Sequence, residues 1–166
     1  ALLLRLARRP AASPMSASPF LRRFVVRWAD ADANGHLRNT AYAEYANDTR
    51  VALLASFGYS WTRFQSLHLG PVLFREEIEY RREASIGEEV LVDALGAGVA
   101  PDVSRWSIRH RLWKADGTEM AQITVVGSWL DLEARRAVAP PHDLADSLRS
   151  MPRSEPFVEL PAIRRK

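Results

Sequence analysis

Four side chains able to carry hydrolytic chemistry lie within residues 30–36, which read DADANGH. Asp30 and Asp32 are carboxylates, Asn34 is an amide and His36 is an imidazole. A carboxylate can attack a carbonyl or deprotonate water, an amide can donate to an oxyanion, and an imidazole can transfer a proton near neutral pH. Such residues usually lie on loops held by rigid elements on both sides. The segment is also consistent with a calcium loop or with a turn capped by its own side chains.

The calcium-loop hypothesis fails at two positions. An EF-hand loop beginning at Asp30 requires a bidentate Glu at its twelfth position, where this sequence has Ala41. Arg38 would also place a cation inside the loop. His68 and His142 have no acidic or histidine companion at the spacing of zinc ligands. We therefore predict no metal site and no cofactor.

Composition limits the possible partners. The 166 residues are 47% hydrophobic, which indicates one globular domain, and no cysteine is present to form disulfides or to act as a nucleophile. Residues 1–29 hold six Arg and no acid, leaving 17 of the 23 basic residues against all 20 acidic ones. The basic excess therefore lies outside the fold, and we expect no nucleic-acid partner. No apolar run is long enough to cross a bilayer, so no membrane partner is expected.

The first residues are not expected to join the fold. Residues 1–18 are rich in Arg and Ser, which is typical of an organellar transit peptide, but an upstream extension before a natural start at Met15 explains them equally simply. We prefer the extension and expect a cytoplasmic protein, with an organellar location as the alternative. The predicted division is a flexible extension over 1–18, a domain over 19–151 and a tail over 152–166.

Hydrophobic periodicity predicts the elements that position the loop. A strand over residues 24–28 precedes it, and a helix from residue 40 to about residue 57, capped by Asn39, follows it. Further strands are predicted over about 71–82, from 90 to before 96, 104–114 and 119–132, with a short helix over 142–150. His110 lies on the apolar face of its strand and is expected in the core. The order predicts an α+β fold in which a curved antiparallel sheet of about five strands wraps around one long helix.

Two segments resemble the hotdog-fold thioesterases. The loop is similar to that of the 4-hydroxybenzoyl-CoA type, in which the second Asp of a D-x-D pair is catalytic. Both segments resemble plant acyl-ACP thioesterases, whose D-x-N-x-H motif is followed by Asn-Asn and later by Y-R-R-E-C. Here residues 32–36 read DANGH and residues 80–84 read YRREA. Arg38 and Ala84 depart from the pattern, which excludes a cysteine-dependent mechanism.

The resemblance implies a single hotdog fold and hydrolysis of an acyl-CoA thioester, or less favourably an acyl-ACP thioester. By position, it implies that Asp32 is the general base or nucleophile, assisted by Asn34, His36 and Glu83. The residues expected to contact substrate are Asn39, Tyr42, Arg81, Arg82, Arg109 and Arg111. Family members place the active site between two subunits whose sheets join edge to edge, so a homodimer or a dimer of dimers is expected.

Two other functions remain open from the sequence. A hotdog dehydratase or hydratase would use a His and a carboxylate to move a proton on carbon rather than to deliver water to a carbonyl. A non-catalytic protein that binds acyl thioesters is compatible with the departures at Arg38 and Ala84.

Overall fold

A seven-stranded sheet and one long helix form the fold in a computed structural model that describes residues 19–163. The predicted extension over 1–18 therefore lies outside the described residues. The strands are β1 Phe20–Val25, β2 Leu69–Tyr80, β3 Glu89–Val99, β4 Arg105–Lys114, β5 Glu119–Asp131, β6 Arg136–Val138 and β7 Arg153–Glu159. The helices are α1 Asn39–Ser56, α2 Trp61–Ser66 and α3 His142–Arg149, and a 3-10 turn covers Trp28–Asp30. None of the described helices is long and apolar enough to span a bilayer.

The main sheet has the strand order β1-β3-β4-β5-β2, with antiparallel neighbours throughout. This confirms the predicted α+β architecture, in which a mainly antiparallel sheet of five principal strands packs on one long helix. Two short strands were not predicted. β6 pairs with the end of β5, and β7 pairs in parallel with the end of β3.

The core lies between α1 and one face of the sheet. On α1, Tyr45 stacks on Phe24 of β1 with ring centroids 4.4 Å apart. On β4 the alternation predicted from the sequence is observed, and the buried residues of that strand's core face are Trp106, Ile108, His110 and Leu112. The small residues Ala41 and Ala46 are fully buried, which lets the helix approach the strands closely.

His110 is a core histidine, as predicted. Burial lowers its pKa to about 3, and the neighbouring Arg50 guanidinium acts in the same direction. Its Nδ1 lies 2.8 Å from the carbonyl oxygen of Asp93, and its Nε2 lies 3.4 Å from Nη1 of Arg50. The ring is therefore neutral, with Nδ1 as donor and Nε2 as acceptor.

The bounds of several elements differ from the sequence prediction: β1 begins at Phe20 rather than residue 24, β2 covers Leu69–Tyr80 rather than 71–82, and β3 continues to Val99 rather than ending before residue 96. β1 ends at Val25 rather than Trp28, because the chain turns through the 3-10 segment that buries Asp30. Residues 153–159, predicted to lie in a tail outside the domain, form β7 in the sheet. β7 is held there by its hydrogen-bonded pairing with β3 and by the close approach of its backbone to Gly98.

Gly98→Ala is expected to lower the free energy of unfolding by about 1–3 kcal/mol. A Cβ atom at Gly98 would lie 2.5 Å from the Val158 carbonyl oxygen, and a backbone atom cannot rotate away from it. Gly96→Ala is the matched control on the same strand, because its Cβ would find its nearest neighbour, Cβ of Met151, at an ordinary 3.6 Å. Urea unfolding of both variants measures the effect. Equal stability of the two variants would show that the β7 backbone does not pack closely against Gly98.

Candidate active site

The loop over residues 30–36 is fixed against the second segment that the sequence singled out. The Leu37 amide donates to the Ala84 carbonyl oxygen at 2.7 Å, and the Ile86 amide donates to the Gly35 carbonyl oxygen at 3.3 Å. Gly35 reverses the loop with φ +76°, a conformation that favours glycine. These backbone bonds bring the two predicted segments side by side.

Asp32 closes the loop and exposes its carboxylate. Its Oδ1 accepts hydrogen bonds from the backbone amides of Asn34 at 2.8 Å and His36 at 3.1 Å. The Asn34 amide, followed by that of His36, lowers the pKa of Asp32 below its ordinary value. The carboxylate is therefore ionised near neutral pH. Both backbone bonds end on Oδ1, so Oδ2 retains room for a water or a substrate atom.

Asp30, two residues earlier, is in the opposite situation. Its side chain is 1% exposed, and Oδ2 accepts from Nε of Arg27 at 2.7 Å and from the Tyr45 hydroxyl at 2.8 Å. Nη2 of Arg27 donates to Oδ1 at 2.8 Å. The Arg27 guanidinium, joined by the Tyr45 hydroxyl, holds the pKa of Asp30 well below its usual range. This carboxylate joins the loop to α1 and is closed to solvent.

Glu83 and Tyr42 complete the surroundings of Asp32. The Tyr42 hydroxyl donates to the Arg82 carbonyl oxygen at 3.1 Å, and its ring meets the edge of Tyr80 with centroids 5.2 Å apart. Burial raises the pKa of Tyr42, and the negative charges of Glu83 and Asp32 add to the effect. Tyr42 therefore lies within electrostatic reach of both carboxylates and stays protonated. Glu83 itself is exposed.

The start of α1 differs from the prediction that Asn39 caps the helix. Arg38 is the capping residue, with an extended backbone at φ −63° and ψ 149°, and Asn39 is the first helical residue. The Arg38 guanidinium donates to Thr40 Oγ1 at 2.8 Å and to Glu44 at 2.9 Å. The Arg38 side chain makes no capping hydrogen bond to the first turn of α1.

A cleft of about 490 Å³ opens beside Asp32. Its lining residues are Trp28, Ala31, Asp32, Ala33, Asn34, Gly35 and Ile86. Trp28 and Ile86 were not among the residues predicted from the sequence. The one sequence signal for Trp28 as a residue of the cleft is its position two residues before Asp30.

The predicted substrate-binding arginines are distributed over two places. Arg109 and Arg111 line a second groove of about 450 Å³ that contains no residue of the loop. Arg111 is paired with the buried Asp93 through Nε at 2.8 Å, and Arg109 donates to a backbone carbonyl of β7 at 2.6 Å. Arg81 is paired with two glutamates, whereas Arg82 is exposed and donates only to a neighbouring backbone carbonyl. Contact of these arginines with substrate stays a prediction.

The sequence matches one protein-family model over most of its length. Residues 26–148 match the model of the thioesterase-like superfamily. No curated protein sequence matches the chain.

Solved structures share this fold at low sequence identity. A protein of Staphylococcus aureus, determined in complex with CoA, is 21% identical with a TM-score of 0.79, covering 90% of this chain and 94% of its own. A 1,4-dihydroxy-2-naphthoyl-CoA thioesterase from Synechocystis is 16% identical with a TM-score of 0.72, and the match covers 80% of this chain and 96% of that protein. A gentisyl-coenzyme A thioesterase is 13% identical with a TM-score of 0.69, and the match covers 77% of this chain and 98% of that protein.

Proposed function

Because the chain belongs to the thioesterase-like superfamily and has its hotdog fold, we propose that it hydrolyses an acyl-CoA thioester to a free acid and CoA. The observation that carries the proposal is the Asp32 carboxylate, ionised and exposed in a cleft that Asn34 also lines. Acyl-ACP is the less favoured substrate. Three compared proteins are described with CoA or CoA thioesters, which supports the CoA carrier.

Asp32 and Asn34 line the cleft, whereas His36, Glu83 and the start of α1 do not line it and are assigned to the reaction from their places in the sequence motifs. The ionised Asp32 either attacks the thioester carbonyl carbon or orients and deprotonates a water that attacks it. The Asn34 amide and the N–H groups at the start of α1 are donors for the oxyanion that forms on the carbonyl oxygen. His36 can deliver a proton to the departing thiolate. Glu83 can orient the attacking water.

The lowered pKa of Asp32 bears on the choice between nucleophile and base. A carboxylate whose pKa is depressed is a weak general base, because proton transfer to it has little driving force. A substrate that displaces one of the two backbone donors from Oδ1 would raise the pKa and strengthen Asp32 as a base. Trapping of an acyl-enzyme on Asp32 would identify the nucleophilic route. Incorporation of solvent ¹⁸O into the Asp32 carboxylate over a single turnover would also identify that route, because water would then have attacked the Asp32 carbonyl of a mixed anhydride.

A thiol-release assay tests the proposed function. Acyl-CoA substrates of different chain length and aromatic character, and one acyl-ACP, are incubated with the full chain. Release of free thiol from at least one acyl-CoA is the expected result. A protein that hydrates or dehydrates the acyl chain without releasing thiol is a hotdog hydratase. One that binds acyl-CoA without turnover is a binding protein, and either result contradicts the proposal.

We also propose that the chain forms a homodimer, alone or within a dimer of dimers, through β2. This strand lies at the end of the sheet and spans 12 residues, twice the length of β1 at the other end. It exposes Leu73, Phe74 and Tyr80. A long strand at the edge of a sheet is a template for pairing with a second copy, and the first half of β2, residues 69–74, carries no charged side chain.

Leu73→Lys is expected to shift the protein towards the monomer, because a charge on an edge strand opposes pairing with another strand. Leu21→Lys is the matched control, since Leu21 is an exposed leucine on the strand at the opposite end of the sheet. Light scattering over a concentration series measures the mass of each variant. A monomeric wild type would contradict the homodimer, and a larger effect at Leu21 would place the interface on β1 rather than β2.

A further inference from the structure

Trp28 is the most exposed large apolar residue of the described chain, at 83%. It belongs to the 3-10 turn that ends at the buried Asp30, so its backbone is fixed while its ring projects outwards. Within residues 19–163 its ring stacks on no other aromatic side chain. Exposing an indole of this size is unfavourable unless something covers it.

The position of the Trp28 ring limits which part of an acyl-CoA can contact it. Trp28 lines the same cleft as Asp32, and Ile86, 39% exposed, adds a further apolar side chain to that cleft. A group that contacts Trp28 there occupies the same cleft as the carbonyl that Asp32 would attack. In an acyl-CoA, the adenine is separated from this carbonyl by the pantetheine arm and the diphosphate. The diphosphate is in addition repelled by the negative Asp32.

The two remaining neighbours of the thioester are the pantetheine arm and the acyl group. The arm is a thin, flexible chain that carries two polar amides, which match neither the flat face of an indole nor the branched sec-butyl side chain of Ile86. A planar acyl group matches both, because aromatic rings stack with offset faces. The Asn34 amide in the same cleft can also accept or donate a hydrogen bond to a ring substituent.

We propose that Trp28 is a specificity-determining residue that stacks on the acyl group, and that the preferred substrates carry an aromatic or otherwise planar conjugated acyl group. This inference rests on the proposed function. The inference adds a substrate class to the proposed function and names a residue that selects that class.

The test compares benzoyl-CoA with cyclohexanecarbonyl-CoA, which have the same number of acyl carbons but differ in planarity. The measured quantity is the ratio of their kcat/KM values. Trp28→Leu is expected to reduce this ratio by about twofold to tenfold, the range of one aromatic stacking interaction. Trp28→Phe, which keeps an aromatic face, should retain most of it. Trp61→Leu is the matched control, because Trp61 is 76% exposed on α2 and does not line the cleft.

The outcomes separate this inference from the proposed function. A ratio unchanged by Trp28→Leu, or reduced equally by Trp61→Leu, overturns the role of Trp28. Equal loss of both activities together with a lower mass in light scattering shows that Trp28 is covered by a second copy, which also overturns it. If no thioester is hydrolysed, the proposed function fails. The ratio of the two dissociation constants, measured by calorimetry in the same variants, then decides the role of Trp28 alone.

Discussion

Asp32→Asn is expected to lower kcat for the best acyl-CoA substrate by about a hundredfold or more, because general acid–base roles contribute about 10²–10⁴. The amide can neither attack the thioester carbonyl nor accept a proton from water. Asn has nearly the same shape as Asp, and its side-chain oxygen can still accept from the backbone amides of the loop. KM should therefore change little. Steady-state kinetics of thiol release, with folding checked by circular dichroism, measure both quantities.

The expected loss of activity is smaller for variants of the two neighbouring residues. His36→Ala and Glu83→Gln are each expected to cost less than Asp32→Asn, and their effects should not add if all three groups act on one water. A correctly folded Asp32→Asn protein with nearly full activity would remove Asp32 from the site. The exposed Glu83 would then be the leading carboxylate near the cleft.

The pH dependence of kcat/KM follows from the direction of the Asp32 pKa shift. Because the backbone amides lower this pKa, the ionised form persists to a more acidic pH than for an ordinary Asp. No loss of activity between about pH 8 and pH 5 should therefore come from Asp32. An acid limb in this range that survives in His36→Ala would contradict the assignment of Asp32 as the ionised catalytic group.

Asp30→Asn is expected to lower the free energy of unfolding by about 2–3 kcal/mol at neutral pH, the low end for breaking a buried charge pair, because Arg27 is largely exposed. The amide cannot accept from the Arg27 guanidinium and the Tyr45 hydroxyl as the carboxylate does. Turnover per folded molecule should change much less than in Asp32→Asn. Urea unfolding and thiol release on the same preparations measure the two effects.

The stability loss from Asp30→Asn should depend on pH with a definite sign. The folded-state pKa of Asp30 lies below its unfolded value, so its stabilisation is complete above about pH 4 and is lost as the pH falls through the folded pKa. The wild type and Asp30→Asn should therefore converge in stability at strongly acidic pH. An Asp30→Asn protein of normal stability and greatly reduced turnover would show that Asp30, rather than Asp32, is the catalytic carboxylate.

The main fold was predictable because its signals are local. Period-two alternation in β4, the turn sequence before β5 and the three- and four-residue spacing in α1 each arise within one element. β6 was missed because it has only three residues, although it follows β5 directly in a hairpin. β7 was missed because it is stabilised by pairing with β3, which lies far earlier in the sequence. Pro156 within β7 also argued against a strand.

The candidate site was predictable in its residue types but not in their environments. The sequence distinguished the two aspartates of the loop only through the family resemblance, which assigned the catalytic role to Asp32. Their environments became visible only in the structure, where Arg27 and Tyr45 bury Asp30 and Asp32 stays exposed. Arg38, not Asn39, precedes α1 because its long side chain can reach Glu44 while its backbone stays extended. Exposure of Trp28 depends on the 3-10 turn, which hydrophobic periodicity does not reveal.

The pairing of β7 with β3 bears on how this chain folds during synthesis. β3 is completed by two strands on one edge, β1 along its first half and β7 along its second. Of the described strands β7 is translated last, so a nascent chain in which β3 has emerged and β7 has not lacks the segment that covers the end of β3. That edge stays open to other nascent chains until β7 leaves the exit tunnel, which makes this interval the stage at which misassembly has its opportunity.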